Sequence, residues 1–178
     1  NVTGTNYNVS QLKAINDKIG GTITLATSTT VGLTGSAGDL VDALDGSFTS
    51  AHTGEVKITG NYNTTQLKAI NSGTAGALHL DDRTVAISGS GSDLAAALTG
   101  SFTSGETHTG VVKVTGNDYT VSDLVTINNA NEGGEINLDN RTVGLSGTAT
   151  NVKAALDGTF TTNKTHTGVV TLTDTSTV

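Results

Sequence analysis

Apolar and polar positions along the chain follow two alternating periods. Residues 56–59, VKIT, alternate apolar and polar side chains, which is the period of a half-buried strand. A following segment places Leu67 and Ile70 three residues apart, and a later one places Leu94 and Leu98 four apart, which is the period of one helix face. The pattern therefore predicts short strands that alternate with short helices.

Six positions carry the signal of a helix N-terminus. A Ser, Thr or Asn is followed three residues later by Gln, Asp or Asn, which is the spacing of a capping box or a near variant of it. The pairs are Asn8 with Gln11, Ser36 with Asp39, Asn63 with Gln66, Ser90 with Asp93, Thr120 with Asp123, and Thr148 with Asn151. Six helices are therefore predicted, each starting after one of these caps.

Glycine or asparagine follows the apolar residues of each predicted helix. Both residue types tolerate the left-handed backbone conformation that ends many helices. The predicted stops are Asn16, Asn71 and Asn128 in one group of helices and Gly46, Gly100 and Gly158 in the other. Helices this short are marginal alone, so we expect them to lie on a surface.

Strands are predicted on both sides of each helix and supply that surface. Residues 31–34 and 56–59 precede helices, and residues 22–25 and 47–49 follow them. Two strands of a sheet advance by about 9.6 Å, which is close to the spacing of about 8–10 Å between packed helices. One helix therefore fits over two strands, and we expect right-handed βαβ crossovers.

Two motifs return along the chain. Motif A, VKITGNYNTTQLKAIN in its second copy, occurs at 2–16, 56–71 and 112–128, and its glycines Gly4, Gly60 and Gly116 are 56 residues apart. Motif B, VGLTGSAGDLVDALDGSFTS in its first copy, occurs at 31–50, 85–104 and 143–162. Each motif contains a strand, a glycine and a short helix, so the unit is a half-repeat of about 28 residues, a length typical of solenoid coils.

These repeats predict the fold class: α/β, a repeat solenoid of about six strand–helix–strand coils in which short helices cover a sheet. We expect a single array over 1–178, with long repeats 2–55, 56–111 and 112–169, and with 170–178 starting a further repeat. One Tyr and one Phe per long repeat are expected to form two ladders that pack coil against coil. They are Tyr7, Tyr62 and Tyr119, and Phe48, Phe102 and Phe160.

The two ends of the sequence lie inside motifs. The chain starts at NVTG, and residues 170–174 realign with the start of the third motif A. Solenoids normally shield their first and last coils, because an exposed strand edge is a template for pairing. We therefore expect either an interior slice of a longer array or a subunit that stacks end to end with identical subunits.

Composition limits what the core can contain. Only 34% of the residues are hydrophobic and 3% are aromatic, so the predicted core is thin and built from small aliphatic side chains. Disorder is the rival interpretation of so polar a chain. The charged fraction is only 14%, and Val, Leu and Ile recur at fixed places, which favours a folded array over a disordered chain.

Charge and residue usage exclude several classes of partner. The net charge is −7 and the nine Lys and Arg residues are scattered, so no nucleic-acid partner is expected. No Cys is present, which excludes disulfides and thiolate metal sites. No apolar run approaches the roughly 20 residues that a membrane-spanning helix needs, so no membrane span is expected.

Candidate metal ligands occur in two acidic turns, LHLDDRTVAI at 78–87 and INLDNRTVGL at 136–145. The carboxylates of Asp81, Asp82 and Asp139 are of the type that Ca²⁺ takes as ligands. The first long repeat has TSTT at 27–30 in this place, and the glycine-rich nonapeptide of calcium-binding β-rolls is absent. Solvated hairpin turns are therefore favoured over a calcium site, and no cofactor is expected.

Candidate catalytic groups do not form a constellation. His52, His108 and His166 each open an HTG turn, but equivalent residues two coils apart would be separated by about 19 Å, too far to share one Zn²⁺. GSGSD at 89–93 lacks a phosphate-binding Lys, and no Gly-x-Ser-x-Gly elbow appears in a strand-to-helix context. We therefore expect that the protein is not an enzyme.

Threonine-rich segments raise the alternative of a binding surface. TITLATSTT at 22–30 and TLTDTSTV at 171–178 could belong to a flat array that orders ice-like water. The Thr positions shift from coil to coil, which argues against ice binding. Adhesion to glycan or to a surface stays open, because a polar ladder that binds weakly at many equivalent places gains through multivalency.

Alternating segments such as SGTATNVKAALDG and TGNYNTTQLKAIN, followed by THTGVVTLTD, resemble a known class of tandem repeats. The chain is similar over essentially its whole length to the repeats of very large, Thr/Gly/Asn-rich, Cys-free bacterial cell-surface and adhesin-like proteins, particularly marine and cyanobacterial ones. The resemblance implies secretion, an extracellular or cell-surface location and a structural or adhesive task. It transfers no catalytic residue.

Together these observations predict a non-enzymatic structural repeat of an extracellular or cell-surface protein. It would act as an elongated scaffold, a spacer or a self-associating fibre subunit, with neighbouring repeats or identical subunits as its partners. The alternative is an adhesive or binding module for glycan, a surface, ice or Ca²⁺.

Overall fold

The chain folds as a mixed α/β protein, as its sequence predicts. The computed structural model describes residues 1–4, 6–26 and 31–174, and in this part it contains six helices and eight short parallel strands. The helices are α1 (Val9–Asn16), α2 (Ala37–Leu44), α3 (Thr64–Gly73), α4 (Gly91–Leu98), α5 (Val121–Ala130) and α6 (Ala149–Leu156). The strands are β1 (Leu33–Ser36), β2 (Val56–Thr59), β3 (Leu78–Leu80), β4 (Ile87–Gly89), β5 (Val112–Val114), β6 (Ile136–Leu138), β7 (Leu145–Gly147) and β8 (Val170–Leu172).

All six predicted N-caps are confirmed. In the motif A helices the capping box is reciprocal: the Gln11 N–H donates to Asn8 Oδ1 at 3.0 Å, and the Asn8 N–H donates to Gln11 Oε1 at 3.0 Å. In motif B the Ser36 hydroxyl accepts from the Asp39 N–H at 3.2 Å and donates to the Asp39 carboxylate at 2.7 Å. Two polar residues in each motif A helix, and one in each motif B helix, therefore satisfy backbone donors that would otherwise lack partners.

Four of the six predicted stops lie at helix ends: α1 ends at Asn16, and α2, α4 and α6 each end two residues before Gly46, Gly100 or Gly158. The predicted left-handed conformation is wrong for all six. In the described residues, positive φ angles occur at Asn163 and at Gly60, Gly105, Gly116 and Gly133, and none of these is a predicted stop. The helices α3 and α5 continue past the predicted stops Asn71 and Asn128. These asparagines and glycines also make contacts between neighbouring helices.

Asn side chains of motif A helices bind the ends of motif B helices. Asn16 Nδ2 donates to the carbonyl of Asp42 at 2.9 Å, and Asn128 Nδ2 donates to the carbonyl of Ala154 at 3.0 Å. A glycine is required opposite, because a Cβ on Gly158 would lie 2.7 Å from Asn128 Oδ1. We call this pairing the Asn–Gly contact; it satisfies a carbonyl near the C-terminus of α6 from the neighbouring helix α5.

The strands form three small parallel sheets, with the orders β1-β2-β3, β4-β5-β6 and β7-β8. Leu33 pairs with Val56 and Val56 with Leu78 in the first sheet, and the second sheet repeats this register. Single bridges extend the pattern at Val2–Leu25, Ile23–Phe48, Leu78–Phe102 and Ile136–Phe160. Equivalent positions of successive motifs therefore pair with one another.

The chain divides into two compact units. Unit 1 contains Asn1–Arg83 and Gly100–Thr107, and unit 2 contains Thr84–Thr99 and His108–Val178. Leu33, Val56 and Leu78 are fully buried in unit 1, and the equivalent residues of unit 2 are buried in the same way. The single array over 1–178 stays a prediction.

Motif A forms the predicted βαβ arrangement. The helix α3 connects the adjacent parallel strands β2 and β3, and α5 connects β5 and β6. A loop with a left-handed glycine, Gly60 or Gly116, separates strand from helix. This loop gives the chain the turn that places the helix over its own pair of strands.

Motif B departs from the predicted arrangement. Here β1 leads into α2 without a loop, and Phe48 after the helix bridges to Ile23 instead of pairing with β1. In unit 2, Phe160 after α6 bridges to Ile136, while β7 pairs with β8. The predicted βαβ crossover is therefore wrong for motif B, because the strand that pairs with β1 is β2 of the next motif A, and the strand that pairs with β7 is β8.

The predicted hairpin at residues 136–145 is also wrong. The strands that flank this turn, β6 and β7, belong to different sheets, and every strand pair in the described part of the chain is parallel. The predicted aromatic ladders differ from each other in burial. All three Tyr side chains are buried, whereas all three Phe side chains are half-buried.

Candidate functional site

The acidic turns place their carboxylates beside lysines. Asp81 Oδ1 lies 2.7 Å from Lys57 Nζ, and Asp139 Oδ2 lies 3.1 Å from Lys113 Nζ. Asp82 is exposed in the turn after β3. Within residues 1–4, 6–26 and 31–174, no group of three or more His, Asp or Glu side chains is placed to hold a metal ion. The preference for solvated turns over a calcium site stays a prediction, and residues 27–30, the first-repeat counterpart of these turns, lie outside the described residues.

The HTG histidines tie consecutive motifs together. His108 is fully buried; its Nε2 lies 2.8 Å from the carbonyl of Val85, and its Nδ1 lies 2.8 Å from Oδ1 of Asn131. A carbonyl only accepts, so Nε2 donates its hydrogen to Val85. His166 repeats the first contact, with Nε2 2.7 Å from the carbonyl of Val143.

The first of these histidines has a different partner. His52 is buried, and its Nδ1 lies 3.4 Å from the hydroxyl of Tyr7, whose ring meets the imidazole edge-on at a centroid distance of 6.4 Å. Burial lowers the pKa of His52, and the carbonyl of Val31 offsets part of this effect. The pKa of Tyr7 is raised by burial. The folded state therefore favours a neutral imidazole at this position.

The segment GSGSD at 89–93 has a structural explanation. Ser90 caps α4 and donates to the Asp93 carboxylate at 2.9 Å. A Cβ on Gly91 would lie 2.6 Å from Cβ of Tyr119, so the glycine permits close packing of α4 against the third motif A. The threonine-rich segments cannot be compared in the same way, because residues 27–30 and 175–178 lie outside the described residues.

An open strand edge is the most distinctive surface of unit 2. The strand β8 pairs with β7, and in the described part of the chain no strand lies on its other side. Val170 and Leu172 are 39% and 57% exposed, and Val169 before them is 73% exposed. Their counterparts Val112 and Val114 in β5 are fully buried between β4 and β6. Exposed apolar side chains beside an unpaired edge are typical of an interaction surface.

An open groove lies beside α1 in unit 1. Its volume is about 390 Å³, and its lining residues are Gly4, Asn6, Tyr7, Gln11, Ala14 and Ile15. The helix α5, which is the motif A counterpart of α1, packs against both α4 and α6, while α1 packs against α2. The groove corresponds to the side of α5 that α4 covers, because Gly91 of α4 meets Tyr119 and Asp123, the counterparts of Tyr7 and Gln11.

The sequence predicts that residues 170–174 start a motif A, but it does not predict that the side chains of β8 are exposed. The alignment of residues 170–174 with 112–116 was the available signal, because it places Val170 and Leu172 at positions that are core elsewhere. The groove beside α1 had no comparable signal. It depends on which helix packs on which face, and the sequence of α1 resembles that of the other motif A helices.

Comparisons with protein-family models, with curated proteins and with solved structures find no match to this chain. In the described residues no helix is long and apolar enough to cross a membrane.

Proposed function

We propose that the chain is a solenoid array that serves as a non-enzymatic structural repeat, a scaffold or spacer, of an extracellular or cell-surface protein. The location rests on the resemblance to Thr/Gly/Asn-rich surface repeats. The array rests on the way in which each motif supplies the interior of its neighbour.

The observation that carries this proposal is the registered ladder of buried apolar residues. Leu33, Val56 and Leu78 pair in one sheet, and Ile87, Val112 and Ile136 pair at the same positions of another. All six are at most 2% exposed. Each motif thus buries a face that it cannot bury alone, which is the stabilising principle of repeat proteins.

The polar residues most suited to chemistry are used in contacts between motifs. His108 and His166 bind main-chain carbonyls of the preceding motif B, and Asn16 and Asn128 bind those of the following one. Lys57 and Lys113 pair with acidic side chains on the outer face. This usage supports a structural role over catalysis.

Two solution measurements test the proposal on the 178-residue chain. Small-angle X-ray scattering is expected to give the extended profile of an array, and a compact spherical profile would contradict it. Thermal unfolding is expected to be the same in excess Ca²⁺ and in EDTA. A ligand at 100 times its Kd stabilises by about 2.7 kcal/mol, so a clear rise in Tm with Ca²⁺ or with a glycan would favour the binding-module alternative.

A further inference from the structure

We infer that two copies of this chain dock head to tail: β8 of one copy pairs with residues 23–25 of the second copy, and α6 of the first packs on α1 of the second. Each chain carries one half of the joined sheet at β8 and the other half at residues 23–25. The inference rests on the proposed structural function and names its partner, a second copy of this chain. It is supported by contacts that the structure already makes between consecutive motifs within each unit.

The complete arrangement is visible in unit 2. In its sheet, β4 of motif B pairs with β5 of motif A, and β5 pairs with β6 of the same motif A. On the other side of β6, Ile136 bridges to Phe160 of the next motif B. The pair β7 and β8 supplies the first two positions of such a sheet. Unit 1 holds the last two positions, because Leu25 and Ile23 follow motif A helix α1, and Ile23 bridges to Phe48.

The repeat alignment fixes the register of the proposed joint. Val112, Lys113 and Val114 of β5 pair with Ile136, Asn137 and Leu138. The counterparts of the first three residues are Val170, Thr171 and Leu172, and those of the second three are Ile23, Thr24 and Leu25. In the joint, Val170 lies opposite Ile23, Thr171 opposite Thr24 and Leu172 opposite Leu25, with the apolar pairs facing inward and the threonines outward.

The helix layer of the joint also has a template. Within unit 2, α4 covers the side of α5 that carries Tyr119 and Asp123. The corresponding side of α1 is the open groove lined by Tyr7 and Gln11. The helix α6 begins with Ala149, where α4 has Gly91, so its template is α2, which begins with the buried Ala37 and packs against the motif A helix α3.

One intrachain contact competes with the joint. Residue Val2 occupies the edge of Leu25 through two hydrogen bonds, from the Val2 N–H to the Thr24 carbonyl at 2.8 Å and from the Ala26 N–H to the Val2 carbonyl at 2.9 Å. This is a single bridge, whereas β8 offers three consecutive residues. We therefore expect strand exchange, in which β8 of one copy displaces residues 1–4 of the next.

The test uses the absence of cysteine from the chain. Thr171→Cys and Thr24→Cys are made as separate single variants, and parallel neighbours in register bring their Cα atoms within disulfide range. Mixing the two variants under mild oxidation is expected to give a disulfide-linked heterodimer. The double variant is expected to give a ladder of linked copies, because in a head-to-tail joint each linked pair still carries an unused half of the joint at either end.

The matched control is Lys113→Cys mixed with Thr24→Cys. Lys113 is the counterpart of Thr171 and its side chain is 45% exposed, but both edges of β5 are already paired. The inference would be overturned if Thr171→Cys formed no more disulfide-linked dimer with Thr24→Cys than Lys113→Cys does. Preferential linking of Thr171→Cys to itself would overturn it as well, since that result requires a symmetric joint.

Sedimentation at increasing concentration gives a second readout without cysteines. The unchanged chain is expected to associate, Leu172→Lys to weaken association about tenfold or more, and deletion of residues 1–4 to strengthen it. A chain that remains monomeric in all three forms would overturn the joint. That result would leave the proposed structural function intact. The proposed function is contradicted by different results, namely a compact scattering profile or specific ligand binding.

Discussion

Two segments of unit 2 have nearly the same sequence and opposite surroundings. Residues 108–116 read HTGVVKVTG, and residues 166–174 read HTGVVTLTD. Both form a short strand paired with the strand of the preceding motif B. The first has β6 on its other edge and is buried, whereas the second has no strand there in the described part of the chain and is exposed. The apolar pattern thus encodes the strand, and neighbouring motifs provide its burial.

The largest expected difference comes from removing equivalent apolar side chains. Val114→Ala is expected to lower the free energy of unfolding by about 2 kcal/mol or more, since it removes two buried methyl groups and leaves a cavity. Leu172→Ala, at 57% exposure, is expected to change it by about 0.5 kcal/mol or less. Urea unfolding of dilute protein measures both. Equal losses would show that β8 is as well covered as β5.

The Asn–Gly contact between α5 and α6 offers a smaller effect. Asn128→Ala is expected to cost about 1 kcal/mol, because the carbonyl of Ala154 loses a hydrogen bond. Gly158→Ala is expected to be destabilising as well, because the new Cβ meets Asn128 Oδ1 at 2.7 Å and Ile136 Cδ1 at 3.0 Å. In a double-mutant cycle the second change should cost less in the Asn128→Ala background. Strict additivity would contradict the contact.

Unit 1 offers a similar comparison between two histidines, the buried His52 and His79 on the outer face. Burial lowers the pKa of His52, so the unfolded state binds a proton more readily than the folded state. Stability is therefore fully present above the unfolded pKa of about 6.5 and is lost as the pH falls toward the folded pKa. Chemical unfolding at several pH values should show this loss.

The matched variants are His52→Gln and His79→Gln. His79 lies on the outer face, with Glu55 and Asp81 nearby at 3.9 and 3.8 Å. The loss of stability between pH 7.5 and 5 should shrink in His52→Gln and persist in His79→Gln. The reverse result would assign the pH dependence to the outer face.

The smallest expected effect concerns the outer face of β5. Lys113→Thr installs the residue that β8 carries at this position, Thr171, and removes the ion pair with Asp139. Both partners are at least 40% exposed, so the cost is expected to be below about 1 kcal/mol and to fall further in high salt. A larger, salt-independent loss in urea unfolding would show that the pair is structural.

Local signals in the sequence predicted the elements well. The caps Asn8, Ser36 and Thr120 were identifiable because a side-chain acceptor and its partner three residues on act within a single turn. The strand 56–59 was predicted with its observed bounds, since its alternation reflects the buried and outer faces directly.

Contacts between motifs were less predictable. Asn16 and Gly158 lie at helix ends as the sequence predicts, but their contacts across helices have no local signal. The path of motif B after α2 depends on which sheet Phe48 joins. The residues of a strand do not by themselves indicate which strand they pair with. The exposure of Leu172 escaped prediction for the same reason.

Hydrogen exchange at β5 and β8 tests most directly whether neighbouring motifs supply burial. The Val112 N–H donates to the carbonyl of Glu135 at 2.8 Å, on the β6 side, and Val170 is its counterpart in β8. In dilute protein, residues 108–116 are expected to be protected and residues 166–174 to exchange quickly, with protection of the second segment rising as copies associate. Equal protection of both segments in the dilute monomer, or fast exchange at 166–174 after association, would contradict the account.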